Sequence, residues 1–191
     1  MEFLPIFLNV RAQPCLVVGG GDVATRKIEL LLKAQASITV IAPELCKALA
    51  ELQRAGKLNH VAASFRAEQI GSQRLVIAAT DDEIVNRAVA DAAQRKNIPV
   101  NVVDRPELCT FIMPAIIDRS PVVVAVSSGG ASPVLARLLR ARLESLVPAA
   151  YGRLATLVSS FRDKVKARFA PGADRRVFWE RVLQGAVAEL V

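Results

Sequence analysis

Hydrophobic positions along this chain follow two rhythms. Cys15-Leu16-Val17-Val18 is a short unbroken apolar run, the mark of a strand buried on both faces of a parallel sheet. Gly19-Gly20-Gly21 breaks it, and Val23, Ala24, Ile28, Leu31 and Leu32 then recur at helical spacing. Residues 37–42 read as a second strand. Pro43 stops it and serves as the first-turn residue of a helix carrying Leu45, Leu49 and Leu52 on one face. Residues 59–65 form a third, weaker strand, 74–80 a fourth, and 98–103 a fifth that ends at Asp104. Asp81 and Asp82 open the helix between the last two, where acids favour the N-terminal dipole. Strands alternating with helices imply βαβ units and a parallel sheet.

The rhythm changes after Asp104. Residues 111–117 and 122–127 read as an antiparallel strand pair joined by the turn Asp118-Arg119-Ser120-Pro121. Ser128-Gly129-Gly130 forms the next turn. Ser132 is an N-cap and Pro133 an N1 residue for a helix running through Val134, Leu135, Leu138, Leu139 and Leu143 to about Leu146. From Pro148 the chain is helical, in two segments divided near Pro171-Gly172. The predicted class is α/β: a Rossmann-type parallel sheet over 1–113, a small α+β region over 114–146 and a helical C-terminal region over 147–191.

The 191 residues are 52% hydrophobic, enough for one main domain and a smaller appendage. No charge-free apolar run reaches the roughly 18 residues a membrane span needs. Met1-Glu2-Phe3-Leu4-Pro5 does not read as a secretory signal. Cys15, Cys46 and Cys109 form neither a CxxC pair nor a disulfide framework, which fits a reducing cytoplasm. Cys15 reads as a small buried hydrophobe. The net charge of +7 is uneven: residues 1–136 hold 14 Lys/Arg and 13 Asp/Glu, and residues 137–191 hold 11 and 5. Such a basic field concentrates anions, or it is a solvated helical surface; charge alone leaves both open.

Gly19-x-Gly21-x-x-Ala24 has the GxGxxG/A form, between a strand and a helix inside a βαβ unit. Gly19 permits a tight turn, Gly21 lets a pyrophosphate approach backbone, and Ala24 lets helix pack on strand. The anion would sit on free N–H groups at the helix N-terminus, where Asp22 and Val23 stand. A glycine-rich turn without a ligand is the alternative. An acid about 20 residues further on is expected to meet the ribose 2′-OH. Glu44 is the candidate, or else a first-turn helix acid. No arginine stands beside it and the nearest cation is Lys47, which favours NAD over NADP. Pro43, Thr80 and Asp81 join this cofactor-binding set.

Several runs then resemble one family together. They are Leu4-Pro5-Ile6-Phe7, Val18-Gly19-Gly20-Gly21-Asp22-Val23-Ala24, Ala78-Ala79-Thr80-Asp81-Asp82 and Asn101-Val102-Val103-Asp104. Two more specific runs follow, Phe111 through Arg119 and Val126 through Pro133. Together they resemble the N-terminal module of siroheme synthase over almost the whole chain. The resemblance implies a bifunctional enzyme that oxidises precorrin-2 to sirohydrochlorin with NAD and then inserts ferrous iron, or cobalt. It implies a homodimer whose dimerisation region is 114–146. It also implies, in many members, a uroporphyrinogen III methyltransferase domain, for which this chain has no residues.

Asp104 is the residue on which this chemistry is expected to turn. It ends a strand at the carboxyl edge of a parallel sheet, where ligands of such folds bind. Oxidation removes hydride and protons from the reduced macrocycle, and metal insertion expels two pyrrole protons. One carboxylate could take protons in both. An Asp capping the turn before Pro106 is the competing reading. The resemblance implies substrate contacts from Asn101, Arg119 and Ser128, and phosphorylation of Ser128. Ser128 as a turn and N-cap device is the alternative. His60 is expected to be a surface or packing residue. No His/Cys/Asp/Glu spacing suits a permanent metal site, so a metal would be transient, steered by Asp104. The basic C-terminal third, with Arg137, Arg140, Arg142 and the cluster Arg162, Lys164, Lys166 and Arg168, would face the substrate's carboxylates. Two other readings compete: a dehydrogenase without chelatase activity, and an NAD-responsive nucleic-acid-binding protein. No recognition-helix or RNA-binding signature supports the second, so no nucleic-acid partner is expected.

Overall fold

The computed structural model describes residues 2–185; the last six positions of the expected C-terminal helical region lie outside the described residues. The chain divides into two compact units, Met1–Met113 and Pro114–Val191. The first holds β1 (Pro14–Val18), α1 (Asp22–Lys33), β2 (Ser37–Ile41), α2 (Lys47–Arg54), β3 (Asn59–Val61), β4 (Leu75–Ala78), α3 (Glu83–Arg95) and β5 (Val100–Val102). All five strands are parallel, in the order β3-β2-β1-β4-β5. Strand order therefore reverses beside β1, and a crevice opens outside the carboxyl ends of β1 and β4.

Alternation along each strand explains why β1 reads as one apolar run. Cys15 and Val17 join a cluster with Ala24, Ile28 and Leu31 of α1 and Leu49 of α2. Leu16 and Val18 point the other way, to Val89, Ala90 and Ala93 of α3. Both faces are covered, so neither can be polar. Burial pushes the Cys15 thiol up to about 11, although a backbone hydrogen bond at Leu75 opposes the shift, so it remains an uncharged core group.

Four expected elements have different boundaries. The helix after β2 starts at Lys47, with Cys46 as N-cap, rather than at Pro43. The Cys46 N–H donates to the Gly20 carbonyl at 2.8 Å, and this tertiary bond holds 43–46 out of the helix. The third and fifth strands shorten to three residues each. The strand expected from 111 begins at Ala115. Phe111 and Met113 instead pack on the α1 side of the first unit's core, and Asn101 Nδ2 donates to the Phe111 carbonyl at 3.0 Å.

The second unit holds the antiparallel pair β6 (Ala115–Arg119) and β7 (Val122–Val126), then α4 (Pro133–Leu146), α5 (Ala150–Arg168) and α6 (Ala173–Gln184). Ser132 caps α4 by accepting the Leu135 N–H at 3.2 Å, and Pro133 occupies its first turn. No helix among the described residues is long and apolar enough to cross a membrane.

A buried amide fixes the end of β4. Asn86 of α3 is 5% exposed. Its Nδ2 donates to the Thr80 carbonyl at 2.8 Å, and its Oδ1 accepts from the Thr80 hydroxyl at 2.9 Å. Asn86→Ala removes both bonds and leaves the Thr80 carbonyl without its amide partner. It is expected to lower the unfolding free energy in urea by about 1–3 kcal/mol, and an unchanged denaturation midpoint would contradict this role.

Candidate active site

Because the strands run in parallel, five loops emerge along one edge of the first unit. They are knitted together by backbone bonds. The Gly19 N–H donates to the Ile41 carbonyl at 2.9 Å, the Ala79 N–H to Val18 at 2.8 Å, and the Val103 N–H to Ala78 at 3.0 Å. The turn after β1 is wedged between its neighbours. A Cβ on Gly19, whose φ is +124°, would lie 2.1 Å from the Ala79 carbonyl oxygen. A Cβ on Gly20 would lie 2.0 Å from that of Glu44. Neither position tolerates a side chain.

Gly21 differs from both. It sits at the N-cap of α1 with ordinary extended dihedrals, and a Cβ there would meet nothing within 4 Å. No side chain caps α1, whereas Asp82 caps α3 by accepting from the Ile84 and Val85 N–H groups at 2.8 and 3.1 Å. No side chain bonds the first N–H groups of α1, and Gly21 and Asp22 are exposed at the positive end of the helix dipole. Bare backbone, free space and a positive dipole fit a phosphate.

The other expected cofactor positions line the same edge. Pro43 and Glu44 are exposed in the loop after β2. Glu44 precedes α2 by three residues, so it is not a first-turn helix acid. His60 on β3 steadies the start of that loop, with Nε2 2.9 Å from the Ala42 carbonyl oxygen; it is a packing residue. Thr80 follows β4, but its hydroxyl is committed to Asn86 and to the start of α3. Asp81 is exposed beside it.

Asp104 lies two residues beyond β5, exposed, in a tight turn with φ +58°. A left-handed backbone costs a non-glycine residue roughly 1 kcal/mol, so the surroundings must hold it. Arg105 pairs with Glu83 at the start of α3. On the α1 side stands Lys27, a half-buried cation that the sequence reading passed over. Burial lowers its pKa and the Arg26 charge adds to this, while the charge of Asp104 opposes it. Lys27 makes no ion pair among the described residues. Its position between Ala24 and Ile28 on the inner stripe of α1 was the available signal.

The three residues expected to meet the substrate each make bonds within the chain. Asn101 is 7% exposed, with Nδ2 bonded to Phe111 and 3.6 Å from Cys109 Sγ. It is an interior fastener, not a surface group. Arg119 belongs to the second unit and its guanidinium is spent there: Nε donates to the Val147 carbonyl at 3.0 Å and Nη2 to Glu144 at 3.2 Å. Glu144 also binds Arg140, which donates to the Ile116 carbonyl, so α4 is riveted to β6. The Ser128 hydroxyl donates to the Ser132 carbonyl at 2.9 Å and accepts the Ser132 N–H at 3.0 Å. It closes the turn before α4, as its competing reading holds. Part of the C-terminal basic charge is likewise used internally. Lys166 pairs with Asp163 at 3.3 Å, and Lys164 stands 5.3 Å from the Phe161 ring centre.

Comparison with known proteins agrees with this layout. A family model described as NAD(P)-binding matches residues 6–115. One described as sirohaem biosynthesis protein central matches 119–146, and one described as the sirohaem synthase dimerisation region matches 150–191. The family descriptions thus give the dimerisation name to the helical segment, not to the 114–146 segment expected from sequence. The chain is 59% identical over 191 residues to the siroheme synthase of Methylobacillus flagellatus and 60% identical over 195 residues to that of Nitrosospira multiformis. In both cases the whole chain is covered, and it spans 41% of the relative's length. The solved structure of SirC, precorrin-2 dehydrogenase, superposes with a TM-score of 0.78 at 25% identity, covering 99% of this chain and 93% of that one. An NAD(P)-binding segment followed in order by the sirohaem central and dimerisation segments shows that the chain belongs to the siroheme synthase family.

Proposed function

We propose that this module oxidises precorrin-2 to sirohydrochlorin with NAD, and that Asp104 is the base. One observation carries the reading. The open N-terminus of α1 and the strained Asp104 turn emerge from the same carboxyl edge of one sheet. The likeness to a precorrin-2 dehydrogenase over nearly the full length supports it.

Gly21 and the first N–H groups of α1 bind the pyrophosphate, with Asp22 and Val23 contributing backbone rather than side chains. Glu44 and Pro43 flank the adenosine ribose after β2. Thr80 and Asp81 line the crevice floor, Thr80 as the fastener of that loop. NAD, when bound, supplies the hydride acceptor. The Asp104 carboxylate takes the proton that leaves the macrocycle as hydride departs, so two electrons and their charge balance. Asn101 acts from the interior, by holding the segment that follows Asp104. Ferrous iron, or cobalt, is a substrate of the second proposed activity, in which two pyrrole protons leave in turn as the metal enters, and Asp104 takes each one and releases it to water before the next. A dehydrogenase without chelatase activity is the second reading, favoured by the likeness to SirC, a precorrin-2 dehydrogenase. Metal-dependent loss of the sirohydrochlorin spectrum over the protein-free rate separates the two.

The proposed assembly is a homodimer. On α4 only Ala136 is buried, while Val134, Leu135, Leu138 and Leu139 are 55%, 50%, 56% and 39% exposed. Four neighbouring aliphatic side chains on one helix face need a cover. Phosphorylation of Ser128 is proposed as inhibitory. It would break both bonds of that hydroxyl to Ser132 and add negative charge to a region meant for an anionic substrate; native protein found always unmodified by mass spectrometry would remove it.

Three outcomes are expected. Asp104→Ala lowers the NAD-dependent oxidation rate by about 10²-fold or more and leaves NAD affinity unchanged; a normal rate defeats the assignment. Gly21→Val fills the phosphate space without a clash, so it weakens NAD binding by about tenfold or more at an unchanged melting temperature, whereas Gly19→Ala lowers the melting temperature itself. Calorimetric titration and thermal melts separate these cases, and tight NAD binding by Gly21→Val would refute the phosphate site. Leu138→Glu shifts sedimentation from dimer to monomer; an unchanged dimer would place the interface elsewhere.

A further inference from the structure

Cys109 is a nucleophile-bearing residue that the proposed chemistry does not use, yet its sulfur touches both ends of the catalytic turn. Sγ accepts the Val102 N–H at 3.1 Å. Its S–H is shared between the carbonyls of Val102 at 3.2 Å and Arg105 at 3.3 Å. Residues 102 and 105 bracket Val103 and Asp104, so one atom spans the base of the left-handed turn. The sulfur is itself fixed. Thr110 ties the chain back to β5, its N–H donating to the Val100 carbonyl at 2.8 Å and its hydroxyl accepting the Val100 N–H at 2.8 Å. Asn101 Nδ2 reaches the same sulfur at 3.6 Å. No other side chain bonds the backbone of 102–105 among the described residues.

We infer that Cys109 is the positioning residue for Asp104: its thiol closes the turn that aims the carboxylate along the carboxyl edge of the sheet. The inference rests on the reading of Asp104 as the base. Donor and acceptor capacity are both required, since the sulfur receives an N–H and gives its own hydrogen to a carbonyl. Burial pushes the thiol pKa up, which keeps that hydrogen in place. Serine preserves both capacities on a shorter bond; alanine has neither. Cys109 touches no substrate, and its effect passes through Asp104.

The test measures kcat and KM for NAD and precorrin-2 on the full chain carrying Cys109→Ala, Cys109→Ser, Asp104→Ala or the Asp104→Ala/Cys109→Ala pair. Cys109→Ala is expected to lower kcat about tenfold with KM for NAD within about twofold, and Cys109→Ser to recover most of the loss. The double variant is expected to match Asp104→Ala alone, because a displaced carboxylate matters only while it is present. Cys109→Val, which keeps bulk without polar atoms, repeats the comparison should alanine fail to fold. A wild-type rate in Cys109→Ala, failure of serine to rescue, or additive losses in the double variant would overturn the inference. A wild-type rate in Asp104→Ala would instead overturn the reading beneath it.

Discussion

Backbone lies on backbone around the turn after β1. The carbonyl of Ala79 presses on Gly19 from one side and that of Glu44 presses on Gly20 from the other. A single methyl group at either place would separate the loops of β4 or β2 from β1. The contact exists because the three strands run the same way and end at the same level, with Val18 beside Ile41 and Ala78. A parallel sheet covered on both faces therefore fixes its own loop edge, and Gly21, the next residue, is left facing open space.

The Asp104 turn solves a different problem. A carboxylate must project from the end of an edge strand with no further strand to support it. Its left-handed backbone is unfavourable for any residue with a side chain. The compensation is spread over separate elements: Arg105 reaches Glu83 of α3, Cys109 bridges the turn, and Thr110 returns the chain to β5. Lys27 supplies a cation from the α1 side. None of these partners is adjacent to Asp104 in sequence apart from Arg105.

That separation explains what could be read from sequence and what could not. β1 and β4 were legible because burial on both faces leaves an unbroken apolar run. The caps at Asp82 and Ser132 were legible because capping is local. Pro43 was misread as a helix residue because the bond that delays the helix comes from Gly20, 26 residues away from Cys46. The fifth strand was drawn too long because Ile98 and Val103 are apolar without joining the ladder. Asn101 and Arg119 stand in runs matching the family, yet a matching run does not say which atoms a side chain bonds. Their amide and guanidinium groups bond within the chain.

The claim beneath this account is that a diphosphate lies on the bare amides at the start of α1. Amide NMR during titration with NAD addresses it directly. The account predicts the largest shifts at Gly20 through Ala24, with smaller ones at Glu44 and Asp81. Saturating NAD that left those amides unmoved, or moved only residues at the opposite edge of the sheet, would contradict it.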